Sequence, residues 1–403
     1  MRLKQRHVSL RDRLCSAMDT KPEQHMRRAM ELAMRGTGKT RPNPLVGAVL
    51  VKNGTVIGEG WHKQYGDLHA EREALADCMA RGADPGGATL YVTLEPCCHV
   101  GKQPPCTQAI VLAKIARVVV GSRDPNPLVH GKGIAYLREH GIEVEEDFLK
   151  DECDRLNEIF FHYITTRTPF VAVKYAMTAD GRIATKTGES QWITGQCARH
   201  HVHELRNKYA SILAGIGTVL ADNPLMTCRI KDGTNPLRIV CDTTLRIPFQ
   251  SHIVQTAAEI PTIVACTKQQ DGTDLHSKME QKKKALEQYG VEVLALPRAQ
   301  NAPAVDLKAL CSALIEKNID SVLIEGGAAI HASALESGIV QKIYAYVAPR
   351  IFGGAAPAPV AGNGVEHIAD APSFSLTSYT QYENDVLLEY TALPHGHKAK
   401  HSQ

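Results

Sequence analysis

The chain has 403 residues, room for two or three domains, and its 43% hydrophobic and 22% charged content is that of an ordinary globular protein with a full core. A net charge of +3 gives neither a nucleic-acid coat nor a membrane-surface patch, and two Trp with seven Phe are too few for a single-strand stacking platform. No apolar run reaches the roughly 18 residues of a transmembrane helix, and 11 scattered cysteines fit a reducing, cytoplasmic setting better than a disulfide framework.

The opening MRLKQRHVSLRDRLCSAMD is basic but has no apolar h-region, so residues 1–22 are expected to be an extension rather than a secretion signal. KPEQHMRRAMELAMRG then repeats Met26, Met30, Leu32 and Ala33 at helical spacing. Gly36-Thr-Gly-Lys-Thr40 imitates the end of a phosphate loop, but GxxxxGK[ST] needs glycine where Ala33 stands, so a solvated turn is expected. VGAVLV and TVIGEG flank Lys52-Asn53-Gly54 and predict a β-hairpin. A helix from His69, a strand at 88–94, a helix from Cys106 to Ala116 and the strand RVVVGS continue the alternation. Together they predict a three-layer α/β sandwich with ligands where strands end and helices begin.

Two of those helix starts carry metal-ligand chemistry. Zinc favours imidazole and thiolate, and a catalytic site leaves one of its four positions to water. His69, Cys106 and one of Cys97, Cys98 and His99 would supply three ligands, and Glu71 stands beside them without being needed as a fourth. Such a set suits hydrolytic deamination, in which activated water attacks an aromatic C–NH2 carbon and a carboxylate moves the protons. Spacing alone does not choose among residues 97–99.

The charged, helical-looking stretch 145–169 ends at Pro169 and marks a boundary. Domains are expected at 23–167 and 168–392, with 393–403 a polar, His-rich, disordered tail. The second domain opens with the strand PFVAVKYAM and a turn at Asp180-Gly181. Further strands are expected at SILAGIGTVL (211–220), PLRIVCD, PTIVACT, VEVLALP, SVLIEGG and KIYAYVAPRI, with helices such as DLKALCSALIEKN between them, again an α/β pattern. No GxGxxG fingerprint occurs. A glycine pair, Gly326-Gly327, does sit where a strand hands over to a helix, a place that lets a backbone approach a diphosphate.

HAE at 69–71 followed by TLEPCCHVGKQPPC, with eight residues between Cys97 and Cys106, resembles the bifunctional riboflavin-biosynthesis deaminase–reductase family within the cytidine-deaminase superfamily. The shorter PCxxC of nucleoside and nucleic-acid deaminases is absent. RPNPLVGAVLV at 41–51 and DPNPLVHGKG at 124–133 match the same family. VAVKYAMTADGRIA, GESQWITG, HELRNKYASILAGIGTVLADNPLMTCR, RIVCDTTLR and LIEGGAAIHASAL resemble its reductase half.

The resemblance implies a cytidine-deaminase-like three-layer sandwich followed by a dihydrofolate-reductase-like domain. It implies one Zn2+ held by His69, Cys97 and Cys106, with Glu71 as proton shuttle and Asn43 in the pyrimidine pocket. It implies NADPH against Ala176, Trp192, Thr218, Asp222, Thr243 and the run Gly327, Ala328, Ala329, Ile330, His331, Ala332 and Ser333. Ser190, Arg206, Met226, Arg229 and Glu325 would contact substrate, with Lys174 near the ribose. Thr243 stands where serine is common in the family and Met226 where leucine is. By residue type alone Met226 and Trp192 also fit a core, whereas the guanidinium forks of Arg206 and Arg229 suit a phosphate.

The implied chemistry is deamination of 2,5-diamino-6-(5-phosphoribosylamino)pyrimidin-4-one, then NADPH-dependent reduction of the ribosyl chain to give 5-amino-6-(5-phosphoribitylamino)uracil. The implied partners are a phosphorylated pyrimidine and further copies of the chain, as homodimer or homotetramer, with no nucleic acid and no membrane. The alternative is a nucleoside or nucleic-acid cytosine deaminase with an unrelated C-terminal domain. The long loop between the cysteines and the low aromatic content count against it.

Overall fold

A computed structural model describes residues 20–99, 104–127, 129–300 and 303–393. Most of the expected extension and the His-rich tail from Pro394 onward lie outside the described residues. The chain forms two compact units with the boundary in sequence at Arg167–Thr168.

The N-terminal unit is built on a five-stranded sheet of β1 (Gly47–Lys52), β2 (Thr55–Trp61), β3 (Thr89–Leu94), β4 (Arg117–Ser122) and β5 (Glu143–Glu145), in the order β2-β1-β3-β4-β5. β1 runs antiparallel to β2 and β3, while β3, β4 and β5 are parallel. Asn53 and Gly54 close the β1–β2 hairpin with φ of 52° and 75°, both left-handed as a two-residue turn of this kind requires. Period-two alternation then divides the strand residues between two cores.

Ala48 and Leu50 of β1 face one core with α2 (Ala70–Ala80), α3 (Cys106–Leu112) and α4 (Lys132–Glu139). Val49 and Val51 face the other with Met26, Ala29, Met30 and Leu32 of α1 (Lys21–Met34). The result is the expected three-layer sandwich. Gly47 lets α1 approach closely: a Cβ there would sit 1.9 Å from the Ala29 carbonyl oxygen. The Gly36–Thr40 stretch is a turn, as expected, but not a wholly solvated one. Thr40 is buried, and its hydroxyl donates to the Asn43 carbonyl at 3.2 Å. The charged stretch before the boundary is two helices, α5 (Lys150–Leu156) and α6 (Glu158–Thr166).

The C-terminal unit holds a nine-stranded sheet. Its strands are β6 (Phe170–Thr178), β7 (Ser211–Gly215), β8 (Leu237–Cys241), β9 (Thr262–Thr267), β10 (Val291–Leu296), β11 (Ser321–Gly326), β12 (Val340–Ala348), β13 (Phe374–Tyr382) and β14 (Asp385–Ala392), and its helices are α7 (Gln196–Lys208), α8 (Ile216–Asp222), α9 (His252–Gln255), α10 (Asp274–Glu287), α11 (Leu307–Glu316) and α12 (Ala328–Glu336). They are ordered β10-β9-β8-β7-β11-β6-β12-β14-β13, parallel from β10 to β12 and antiparallel beyond. Buried runs such as Ile212-Leu213 and Ile239-Val240 feed cores on both faces, as a parallel sheet covered by helices demands.

One expectation fails here. SILAGIGTVL is not one strand: β7 stops at Gly215, and Ile216–Asp222 forms a helix, α8, whose Ile216 and Val219 are buried one turn apart. An unbroken apolar run fits a strand or a buried helix equally by composition, and only the packing separates them. The expected helix from Cys106 likewise ends at Leu112, since Lys114 turns left-handed at φ 53°. The β13–β14 hairpin at the sheet edge was not foreseen, because β13 carries no clear apolar face.

Candidate active sites

His69 caps α2 in extended conformation, φ −76° and ψ 159°, and Glu71 lies in the first turn of that helix. Cys97 follows β3, and Cys106 opens α3. The fold therefore delivers two helix starts and one strand end to a single point. His69 Nδ1 is 3.5 Å from Cys97 Sγ and 3.3 Å from Cys106 Sγ, and the three ligand atoms lie within 4.8 Å of one another. Zinc bonds of about 2.3 Å to sulfur and about 2.1 Å to nitrogen, opened to a tetrahedral angle, span roughly 3.6 Å between ligand atoms. The residues fit that ion. Cys98, the alternative of the same type, is not in the cluster.

The electrostatics favour the ligating form of the first cysteine. A hydrogen bond to Cys106, reinforced by His69, lowers the Cys97 thiol against the opposing effect of burial. Backbone anchors add to this: the Cys106 amide donates to Cys97 Sγ at 3.4 Å and the Thr107 amide to the Cys97 carbonyl at 3.2 Å. Glu71 is 3% exposed, and burial, seconded by the negative charge on Cys97, pushes its carboxyl above the ordinary range. A carboxyl poised nearer neutrality can both take and return a proton.

Glu71, His69 and Cys97 line a cavity of about 240 Å³ together with Asn43, His62, Asn126 and Phe160. Burial depresses the His62 pKa, so the ring is neutral. Its Nδ1 donates to the Leu68 carbonyl at 3.0 Å, which leaves Nε2 to accept from the Asn43 amide at 3.2 Å. Asn43 is therefore held with its amide plane fixed.

Sequence reading missed several residues here. Glu95 accepts backbone N–H groups of Asp124, Gly131, Gly133 and Ile134 at 3.0–3.3 Å and so shapes the loop that brings Asn126 into the cavity. One clue was visible: PNPLV occurs twice, at 42–46 and 125–129, and the asparagines of both copies line this cavity.

In the C-terminal unit several of the expected residues lie at or near the C-terminal ends of parallel strands, where open α/β sheets bind ligands. Ala176 is near the end of β6, Thr243 follows β8, and Glu325 lies in β11. Gly215 and Gly327 cap α8 and α12 (Ala328–Glu336) on adjacent strands, and a Cβ on Gly327 would lie 3.8 Å from the Gly215 Cα. Thr218 packs against Gly326, where an added Cβ would meet its Oγ1 at 2.8 Å. Ile330 packs over both, since a Cβ on Gly215 would meet its Cγ1 at 2.9 Å and one on Gly327 at 3.5 Å; two helix starts side by side suit a dinucleotide diphosphate.

Ser190 Oγ donates to Asp222 at 3.4 Å. Trp192 is 56% exposed with the Arg199 guanidinium 4.7 Å above its ring, which excludes a core role. Within 327–333, His331 and Ala332 face inward, and His331 Nδ1 donates to the Pro359 carbonyl at 2.8 Å.

Arg206 and Glu325 form a two-pronged pair, with Nε and Nη2 each 2.7 Å from a carboxylate oxygen. Burial would raise the Glu325 carboxyl, but Arg206 and Lys174 hold it below the usual range. Burial lowers the Lys174 amine despite Glu325 nearby.

Met226 is 4% exposed and left-handed at φ 51°, with a guanidinium fixing the carbonyl on either side. Arg206 Nη1 donates to Thr227 O at 2.9 Å, and Arg238 Nη1 to Leu225 O at 3.2 Å. Arg238, 0% exposed, was another residue the sequence gave no means to single out. Arg229 is exposed, and its amide donates to His203 Nδ1 at 3.3 Å.

Comparison with known proteins supplies the remaining findings. Residues 169–388 match the family described as "RibD C-terminal domain", and residues 19–122 match "Cytidine and deoxycytidylate deaminase zinc-binding region". The chain is 48% identical to the riboflavin biosynthesis protein RibD of Actinobacillus pleuropneumoniae over 370 residues, covering 92% of this chain and 95% of the relative. It is 37% identical to the protein of the same name from Escherichia coli, covering 91% and 98%. A crystal structure of a diaminohydroxyphosphoribosylaminopyrimidine deaminase/5-amino-6-(5-phosphoribosylamino)uracil reductase from Thermotoga maritima matches with TM-score 0.79 and 37% identity, covering 93% of this chain and 99% of that one. RibD of Acinetobacter baumannii matches with TM-score 0.78 and 34% identity over the same shares.

Proposed function

The chain belongs to the RibD family of riboflavin-biosynthesis deaminase–reductases, and on that premise we propose that its two units carry out consecutive reactions on one phosphorylated pyrimidine. The N-terminal unit has the cytidine-deaminase-like fold, and the C-terminal unit is the dihydrofolate-reductase-like RibD domain. The observation that carries the first half is the meeting of His69, Cys97 and Cys106 beside buried Glu71 at the wall of one cavity.

The deaminated substrate is 2,5-diamino-6-(5-phosphoribosylamino)pyrimidin-4-one. His69, Cys97 and Cys106 would hold zinc, which when bound supplies the Lewis-acid charge that makes water a nucleophile near neutral pH. Glu71 accepts the proton that the attacking water gives up and passes it to the ring nitrogen, then carries the remaining hydroxyl proton to the amine as the C2–N bond breaks. The C2–O bond forms, and ammonia leaves. Asn43, fixed by His62, presents its amide to the pyrimidine edge.

The second half reduces the ribosyl chain to ribityl. NADPH, when bound, supplies the hydride. The adjoining helix starts at Gly215 and Gly327 would offer backbone amides to its diphosphate, while Ala176, Trp192, Thr218, Asp222 and Thr243 frame the remainder. Glu325, locked by Arg206, orients the substrate's polar chain with Lys174 beside it, and Arg229 faces the phosphate. Positioning donor against acceptor supplies the rate.

The enzyme works in the cytoplasm as a homodimer or homotetramer. No helix among the described residues is long and apolar enough to cross a membrane.

Incubation with the diaminopyrimidine ribosyl phosphate, followed by mass spectrometry, tests the whole scheme. Without NADPH the deaminated ribosyl product should accumulate, and with NADPH the ribityl product. Turnover of cytidine or cytosine in DNA, with none of the diaminopyrimidine, would refute it.

A further inference from the structure

The helical segment 150–166 lies beyond the residues 19–122 that match the zinc-binding deaminase region, yet it reaches the deamination cavity. Helix α5 is fastened to the sheet. Ser122 Oγ, at the end of β4, donates to Asp154 at 2.7 Å, and Arg27 of α1 pairs with Glu152. Cys153 is fully buried against Gly121, where an added Cβ would come 2.4 Å from its sulfur. Helix α6 begins after Asn157, and Phe160 near its start lines the cavity together with Asn43, Pro44 and Val46.

Asn157 occupies the N-cap position of α6, where an asparagine oxygen ordinarily accepts a helix N–H. It makes no such bond. Its amide, in a residue only 3% exposed, takes both backbone groups of Leu45 instead: Nδ2 donates to the carbonyl at 2.9 Å and Oδ1 accepts the N–H at 2.8 Å. Leu45 stands between the cavity-lining Pro44 and Val46, just before β1 begins. A two-point hold at that residue fixes the wall from which Asn43 meets His62.

We propose that Asn157 is a positioning residue for deamination and Phe160 a specificity-determining wall residue, so that the 150–166 segment is a working part of the deamination site rather than a connector. Asn157 touches no reacting atom and acts through Leu45 on Asn43 and Pro44. Phe160 offers an aromatic surface suited to a planar heterocycle. The inference rests on the deaminase reading above.

The test uses Asn157→Ala, Asn157→Asp and Phe160→Ala in the full chain. Ammonia release from the diaminopyrimidine ribosyl phosphate gives KM and kcat, metal analysis gives zinc content, and NADPH oxidation with deaminated substrate supplied directly reports the other half-reaction. A loosened wall weakens the hold on the pyrimidine in ground and transition states alike, so Asn157→Ala should raise KM about tenfold while kcat changes less than about threefold. Zinc content and NADPH oxidation should match the parent protein. Asn157→Asp keeps the acceptor but sets a carboxylate against the Leu45 carbonyl, and should lose as much. Phe160→Ala should raise KM with zinc retained.

Unchanged KM in the alanine variants overturns the inference, as does a joint fall of zinc content and kcat in Asn157→Ala, which would mark a structural role. A parent protein that releases no ammonia from this substrate overturns the deaminase reading itself; normal parent turnover with unaltered variants overturns only the role given to 157 and 160.

Discussion

Glu71 and Glu95 are both 3% exposed carboxylates of the N-terminal unit, and their surroundings give them opposite tasks. Glu95 is engaged by four backbone N–H groups and holds a loop, whereas Glu71 stands at the cavity wall with its pKa raised by burial. Glu71→Gln preserves shape and removes the proton carrier. It should retain zinc and lower ammonia release by about 10²-fold or more, the usual worth of general acid–base catalysis. Full activity in a zinc-loaded glutamine variant would rule out the role.

His203 yields a pH prediction. Burial, then Arg206 and Arg229, hold its pKa at about 4, below the ordinary 6.5. The folded protein thus favours the neutral ring, whose Nδ1 accepts the Arg229 amide. Above 6.5 neither state is protonated and the contribution to stability is complete. As pH falls toward about 4 the unfolded chain takes up the proton first, and stability declines. His203→Gln should flatten the fall in denaturant midpoint between about pH 7 and about pH 5 relative to the parent. Parallel curves for the two proteins would dismiss this assignment.

Among elements, the decisive places are the strand ends. Each proposed site forms where strands of the sheet release the chain into helices: β3 toward α3 in one unit, β7 and β11 toward α8 and α12 in the other. Close helix–sheet approach is what brings the helix starts into register, and Gly47 shows how little tolerance there is. Gly47→Val would drive side-chain atoms into the Ala29 carbonyl of α1 and should cost about 1–3 kcal/mol, the usual penalty for overpacking. A denaturant midpoint equal to that of the parent protein would show that α1 moves aside freely.

For the molecule as a whole, the two half-reactions draw on different sheets and different cofactors. Chelation that strips zinc should abolish ammonia release while NADPH oxidation continues when deaminated substrate is provided. Restored zinc should return ammonia release. Loss of both activities on chelation would mean that the reductase also depends on the metal.

The sequence by itself determined the chemistry of the first site, because residue type is most of that chemistry: an imidazole, two thiolates and a carboxylate at two helix starts and a strand end admit few uses. It determined the three-layer N-terminal architecture too, since strand alternation and helical spacing are local patterns. It could not place the end of β7, as an apolar run satisfies both a strand and a buried helix until packing chooses. Nor could it choose Cys97 over Cys98 by spacing, or couple Asn157 to Leu45 across 112 positions. Such pairings depend on which backbone groups lie buried without a sheet partner, a property of the folded chain that only tertiary packing decides.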